Sequence, residues 1–161
     1  MGVEIERKFL VVGDAWRQLG ERVLLRQGYL STDPERTVRV RIEDGEGVLT
    51  IKGKSLGATR GEWEYPIPFD EAAELLDNLC PAPLVEKYRT RVTVGNHVWE
   101  VDEFLGANKG LIVAEIELTA EDELFLLPEW TGAEVTGERK YYNSQLIKTP
   151  FSRWENGAQD Q

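Results

Sequence analysis

Along stretch after stretch of this chain, charge alternates with hydrocarbon. Glu4, Glu6 and Lys8 stand two residues apart, as do Arg39, Arg41 and Glu43; Lys52 and Lys54; Glu62 and Glu64; Lys87, Arg89 and Arg91; Glu100 and Asp102; and Glu115 and Glu117. Between and beside them lie Val3, Ile5 and Phe9; Val38, Val40 and Ile42; Leu49 and Ile51; Trp63 and Tyr65; Trp99 and Val101; and Ala114, Ile116 and Leu118. A period of two belongs to β-strands, whose successive side chains point to opposite faces. The chain is therefore expected to form an antiparallel, β-dominated domain with strands near 3–12, 22–30, 36–44, 47–54, 61–68, 85–95, 97–105 and 110–119.

Asp44-Gly45-Glu46-Gly47 and Gly95-Asn96-His97 read as tight hairpins, and residues 106–110 as a looser one, which suggests up-and-down order. Asp70 is placed to cap a helix over 70–79 that Pro81 and Pro83 stop. Thr119 is placed to cap a short helix before Pro128, a third helix is expected near 139–147, and Asp14 can start a turn through Trp16 and Leu19. Residues 1–152 are expected to form one domain, and 153–161 a polar, frayed tail.

With 161 residues, 41% of them hydrophobic, the chain can build a single core. It lacks an apolar run of about 18 residues and a signal-like start, so a soluble, cytoplasmic protein without a membrane partner is expected. The single cysteine, Cys80, cannot supply a disulfide framework or a thiolate cluster, and the single histidine, His97, cannot supply a histidine metal site. Any bound metal must be held by oxygen. A net charge of −10 opposes nucleic acid at long range.

Two readings of the alternation are open. The charged face can be the wet side of a half-exposed sheet, with Lys and Glu paired across strands. Alternatively, if the sheet closes into a barrel, its first and last strands become neighbours, and the two Glu pairs at 4/6 and 115/117 meet across a lumen lined elsewhere by Lys and Arg. The segregation of acidic pairs to the ends and basic pairs to the middle favours the second. Clustered carboxylates suit a hard divalent cation such as Mg²⁺ or Mn²⁺, and clustered Arg and Lys suit polyphosphate.

The opening EIERK resembles the ExExK signature of the CYTH superfamily, the triphosphate tunnel metalloenzymes, a group that includes class IV adenylyl cyclases, thiamine triphosphatases and bacterial inorganic triphosphatases. The likeness continues through RVRI at 39–42, LTIKGK at 49–54, EKYRTRV at 86–92, GLIVAEIEL at 110–118 and EVTGERKYYNSQL at 134–146. It implies an eight-stranded antiparallel closed barrel around a polar tunnel, with short helices packed outside and metal-dependent cleavage of a triphosphate within. Glu4, Glu6, Glu115 and Glu117 match the family's metal-binding pairs. Lys8, Arg39, Arg41, Lys52 and Arg89 fall where the family binds phosphates, with Lys54, Arg91 and Lys140 as further candidates. Glu62 or Glu64, and Asp102, are implied to support the metal or orient basic residues. Lys87 resembles a lysine that pairs with the one at position 8, each lowering the other's pKa so that one serves as general base; a metal-activated water is the competing mechanism. Tyr29 is a candidate hydrogen-bonding partner at the tunnel or a wall residue.

Gly53-Lys54-Ser55 resembles the end of a phosphate-binding loop, but Val48 stands where that motif requires glycine. Trp63 and Trp99, opposite the charged face, are expected to pack against helices. The expected activity is hydrolysis of inorganic tripolyphosphate to diphosphate and phosphate. Nucleoside or thiamine triphosphate hydrolysis and cyclisation of ATP are alternatives, and a non-enzymatic polyphosphate-binding module is a further one. Three short helices are too few to cover eight strands, so a homodimer is expected.

Overall fold

The computed structural model describes residues 2–154. Nine strands form one sheet: β1 (Gly2–Val11), β2 (Arg22–Ser31), β3 (Arg36–Glu43), β4 (Glu46–Gly53), β5 (Thr59–Ile67), β6 (Val85–Val94), β7 (His97–Phe104), β8 (Ile112–Leu118) and β9 (Thr131–Glu134). Two α-helices, α1 (Phe69–Asn78) and α2 (Asn143–Lys148), and four 3₁₀ turns complete the described chain. The eight long strands agree with the alternation to within two residues or so at each end.

Their order is β5-β4-β3-β2-β6-β7-β8-β1-β9, with a further β5–β1 pairing that closes the barrel. This corrects simple up-and-down order. Two antiparallel meanders, β2 to β5 and β6 to β8, lie side by side through β2–β6, and β1 closes the gap between their outer edges. The lower half of β1 pairs with β5 (Gly2↔Glu62, Glu4↔Arg60), and the upper half with β8 (Glu6↔Glu117, Lys8↔Glu115). The turns are sharp where expected: Asp44 and Gly45 both adopt positive φ, 52° and 79°, as the two-residue hairpin between β3 and β4 requires.

The apolar material lies outside the barrel. Val40 packs with Ala72, Leu76 and Cys80 beneath α1. Phe9, Trp99 and Ile116 pack with Trp16 and Trp130 on the opposite side, and Val85, Phe104 and Val113 with Tyr141 and Leu146 at a third. Trp99 is fully buried, by Phe9, Phe125 and Trp130 in edge-to-face contacts and in one cluster with Trp16 of the 3₁₀ turn Ala15–Gln18, rather than beneath α1 or α2.

The helices differ from expectation in detail. In α1 the cap position is Pro68, while Asp70 and Glu71 occupy the first turn, where the exposed amides favour carboxylates. No helix follows Thr119: its amide and hydroxyl both donate to Glu123 Oε1, at 2.5 and 2.7 Å, and the chain then runs extended to bring Phe125 onto Trp99. The third helix divides into a 3₁₀ turn at Arg139–Tyr141 and α2. Of the expected frayed tail, Trp154 packs on Tyr141 and Phe151, and residues 155–161 lie outside the described residues. Val3 and Tyr65 stay exposed on the outer face.

Because the barrel interior is polar, stability rests on these outer clusters. Trp99→Ala is expected to cost about 3–5 kcal/mol, read as a lowered urea midpoint with the slope of the transition unchanged.

Candidate active site

The pleat turns one face of every barrel strand inward, and the register stacks those faces into a charged tunnel. Glu4, Glu6 and Lys8 of β1, Arg39 of β3, Lys52 of β4, Arg89 of β6 and Glu115 of β8 line its middle. Arg41, Arg91, Glu62, Glu64 and Glu117 line one mouth, beside the β6–β7 hairpin. Tyr29 and Lys87 lie toward the other, which Tyr142 and Asn143 border from the start of α2. The wet-face reading therefore fails for these strands: Glu4, Lys8, Lys87, Arg89 and Asp102 are all buried.

Cross-strand neighbours neutralise each other along the wall. Arg89 grips Asp102 with two bonds, Nε to Oδ1 at 2.8 Å and Nη2 to Oδ2 at 2.9 Å, and Lys87 Nζ lies 2.7 Å from the same Oδ2. Lys52 Nζ sits 3.0 Å from both oxygens of Glu4, and Lys8 Nζ 3.3 Å from Glu115. Arg91 joins Glu43 and Glu100 at the mouth. Arg39 donates to Thr50 at 3.3 Å, and Thr50 to Glu64 at 3.0 Å. Yet the Nε groups of Arg39 and Arg41 are buried without a hydrogen-bond partner. A buried guanidinium N–H left unpaired is costly, and the guanidinium groups of Arg39 and Arg41 line a cavity suited to an anionic ligand.

The acids divide by their surroundings. Burial opposes ionisation of Glu4, Glu115 and Asp102, but it is outweighed by Lys52 at Glu4, by Lys8, Lys87 and Arg89 together at Glu115, and by Arg89 with Lys87 at Asp102, so all three lie below the usual carboxylate range. At Glu6, burial, with Glu115 and Glu4 close by, outweighs the pull of Lys52 and Lys8 and pushes it well above that range. Burial and Glu4 raise Glu62 to about 7, and burial with Glu4 and Glu100 raises Glu117. At all three, burial and neighbouring carboxylates disfavour the ionised form. Glu6 lies within hydrogen-bonding reach of both Glu4 and Glu115, so a proton there takes the place of positive charge among three carboxylates.

A divalent cation fits this donor set. Among the described residues no three acidic or histidine side chains converge as a ready-made metal cage. Mg²⁺ does not need one, since it commonly takes one or two carboxylates and completes its shell with water and phosphate oxygens. Glu4, Glu6 and Glu115 are the residues suited to hold it, with Glu62 and Glu117 beside them. Asp102 is already committed to Arg89 and Lys87, which places it among the residues that orient basic groups.

The two lysines differ from the mutual lowering implied by their resemblance to a paired set. Lys87 is lowered to about 8, by burial first and by Arg89 second, against the pull of Asp102. Lys8 is raised, because Glu115 and Glu6 outweigh its burial. Two other candidates lie apart from the tunnel. Lys54 is exposed beyond the end of β4. Lys140 sits over the rings of Tyr141 and Trp154 on the outer surface. Conversely, Arg60, Thr37, Thr50 and Asn143 line the tunnel without having been singled out. Arg60 shares parity with Glu62 and Glu64 one residue before the expected start of β5, and that parity was the signal for it.

The CYTH domain family pattern matches residues 2–149. This chain belongs to the CYTH domain family. Its CYTH relatives include a protein of Acetivibrio thermocellus named inorganic triphosphatase, 50% identical over 155 residues that span 96% of this chain and 99% of the relative. A protein of Nitrosomonas europaea with the same name is 36% identical over 148 residues, 89% of this chain and 95% of the relative. The crystal structure of an inorganic triphosphatase superposes with a TM-score of 0.62 at 34% identity, covering 89% of this chain and 97% of that one.

The Asp102 cluster supplies a stability test of the CYTH tunnel. Asp102→Asn leaves Arg89 and Lys87 buried with their counter-charge removed, and is expected to destabilise the fold by about 3–5 kcal/mol, measured by chemical denaturation.

Proposed function

We propose that this protein hydrolyses inorganic tripolyphosphate to diphosphate and phosphate, with Mg²⁺ or Mn²⁺ as the required cofactor. The observation that carries the reading is the tunnel itself, in which Arg39, Lys52 and Arg89 line the same cavity as Glu4, Glu6 and Glu115. A linear chain of phosphates presents oxygens to both. The inorganic triphosphatase names of the Acetivibrio and Nitrosomonas relatives support the choice of substrate.

The residues divide the work by position. Arg39, Arg41, Lys52 and Arg89 bind phosphate oxygens, the arginines through paired N–H groups and the lysine as a point charge. These contacts strengthen as negative charge moves onto the leaving phosphate, which is where they speed the reaction. Lys8, across the tunnel from Lys87, stays charged beside Glu115 and is suited to the terminal phosphate. Lys87, lowered to about 8, is a group that can release or take up a proton near neutral pH, and so is the residue of this chain fitted to general-base work on water. Tyr29, nearly buried in the wall beside Arg39, adds a hydroxyl for a phosphate oxygen. A divalent ion held by Glu4, Glu6 and Glu115 would supply charge neutralisation and acidify bound water.

A polyphosphate-binding module without catalysis is the second reading, and the carboxylate cluster disfavours it, because an anion binder gains nothing from buried acids facing its ligand. The deciding assay is phosphate release from tripolyphosphate, ATP and thiamine triphosphate, with and without each metal, together with a check for cyclic AMP. Metal-dependent release that is fastest with tripolyphosphate is expected. Glu115→Gln is expected to lower that rate at least ~100-fold while the circular dichroism spectrum stays that of the parent. Tight tripolyphosphate binding without turnover under any metal would instead establish the module.

The proton-holding acids set a pH dependence. Glu6 and Glu62 must lose their protons before they can hold a cation, so metal binding releases protons and weakens on acidification. The metal concentration for half-maximal rate is expected to rise as pH falls through about 7, where Glu62 titrates, and titrations at a series of pH values measure it.

A further inference from the structure

The three residues Tyr141, Tyr142 and Asn143, where the chain enters α2, touch both tunnel lysines at once. The main-chain carbonyl of Tyr141 accepts from Lys8 Nζ at 3.3 Å, and Asn143 Oδ1 accepts from Lys87 Nζ at 3.0 Å. Lys8 and Lys87 come from different walls, β1 and β6, which share no pairing in the sheet. The ring of Tyr142 lies between these anchors, 5.4 Å from Lys8 Nζ.

The direction of the bonds at Asn143 is fixed by chemistry. An ammonium donates and never accepts, so the side-chain amide must turn its oxygen to Lys87. That same oxygen takes a second bond, from Gln27 Nε2 at 3.0 Å, so Gln27 must present nitrogen, and its own oxygen is left buried and unpartnered. Gln27, fully buried in β2, thereby locks the amide of Asn143 in the orientation Lys87 needs. A buried acceptor is left unpaired to hold this arrangement, which is a cost an arrangement without function would shed by repacking.

Asp102 alone cannot define where the Lys87 ammonium points. Its Oδ2 is shared with Arg89 Nη2, and a single ionic contact leaves a lysine free to swing about it. With Asp102 at 2.7 Å and Asn143 at 3.0 Å, two of the three directions at Nζ have fixed acceptors, which leaves one for the tunnel that Lys87 lines.

We propose that Asn143 is a positioning residue for Lys87: its amide oxygen, locked by Gln27, aims the remaining direction at Lys87 Nζ, an N–H when the amine is charged and the lone pair of the base when it is neutral, at the reacting end of the triphosphate. This rests on the triphosphatase reading for its consequence and on the hydrogen bonds for its geometry. It makes the seating of α2 and the alignment of a lysine on the opposite element one event.

The test compares Asn143→Leu, which keeps bulk and loses the acceptor, with Asn143→Asp, which keeps the oxygen. Each is made in the full chain and read in two ways. First, the Lys87 ammonium is observed by NMR in ¹⁵N-lysine-labelled protein without triphosphate, with Lys87→Met assigning its signal. An ammonium held by two buried partners exchanges slowly and gives a distinct signal, expected in the parent and in Asn143→Asp and lost in Asn143→Leu. Second, kcat for tripolyphosphate is expected to fall on the order of 100-fold in Asn143→Leu with KM changed less than about threefold, and to be largely restored in Asn143→Asp. A purely structural role would lower thermal stability without separating kcat from KM. An unchanged Lys87 signal in Asn143→Leu, or a kcat within about twofold of the parent, would overturn the proposal. Should Asn143→Leu fail to fold, Asn143→Ala makes the same comparison. If the parent hydrolyses no triphosphate, the functional reading fails, while the signal still decides whether Asn143 orders Lys87.

Discussion

The pairing of β1 with β5 and β8 at once is the constraint on which the rest of the structure depends. Until it forms, Glu4 and Glu6 lie on one free edge and Glu115 on another. Once it forms, Lys8 stands opposite Glu115 and Glu6 opposite Glu117. The register is unforgiving, because a slip of one residue would turn every charge to the outside and every hydrocarbon into the lumen. The outer clusters around Val40, Trp99 and Leu146 enforce it by burying the opposite face of the same strands. Packing on the outside thus sets the electrostatics on the inside.

Within the tunnel the charges fall into two kinds. Asp102 with Arg89 and Lys87 forms a closed set that is satisfied by the protein alone, and it acts as scaffold. Glu6, Glu62 and Glu117, whose ionisation burial and neighbouring acids oppose, with the Nε groups of Arg39 and Arg41, which make no hydrogen bond, form an open set that the protein alone leaves unsatisfied. Ordinary proteins keep groups of the second kind few. Their concentration in one cavity is what distinguishes a site for charged ligands from a merely ionic interior.

The inward face was legible in the sequence because a strand's period is rigid. Glu4, Glu6, Lys8, Arg39, Arg41, Lys52, Glu62, Glu64, Lys87, Arg89, Arg91, Asp102, Glu115 and Glu117 all stand on it as their spacing indicates. Strand order was legible only in part: hairpins and closure placed sequential strands together and β1 beside β8, whereas β1 beside β5, and β2 beside β6, appear only in three dimensions. The expected helix after Thr119 failed because a side chain, Glu123, took the amide and hydroxyl that were expected to start it. Asn143 and Tyr142 were invisible for another reason: they enter the tunnel from a turn before α2, where no periodicity marks the inward side. Lys140, only two residues earlier, faces outward onto Tyr141 and Trp154.

The closure of the barrel also has a history in time. The partners of β1 lie at residues 59–62, 113–118 and 131–134, so β1, which precedes all of them in the chain, is among the last strands to be completed. Such distant pairings are slow to form, and an unpaired strand in the interval is an invitation to association with other chains. Glu4, Glu6, Arg7 and Lys8 make β1 a poor template for that, because a strand studded with charge does not stack on its own kind. The residues that line the finished tunnel therefore protect the nascent chain before there is any tunnel to line.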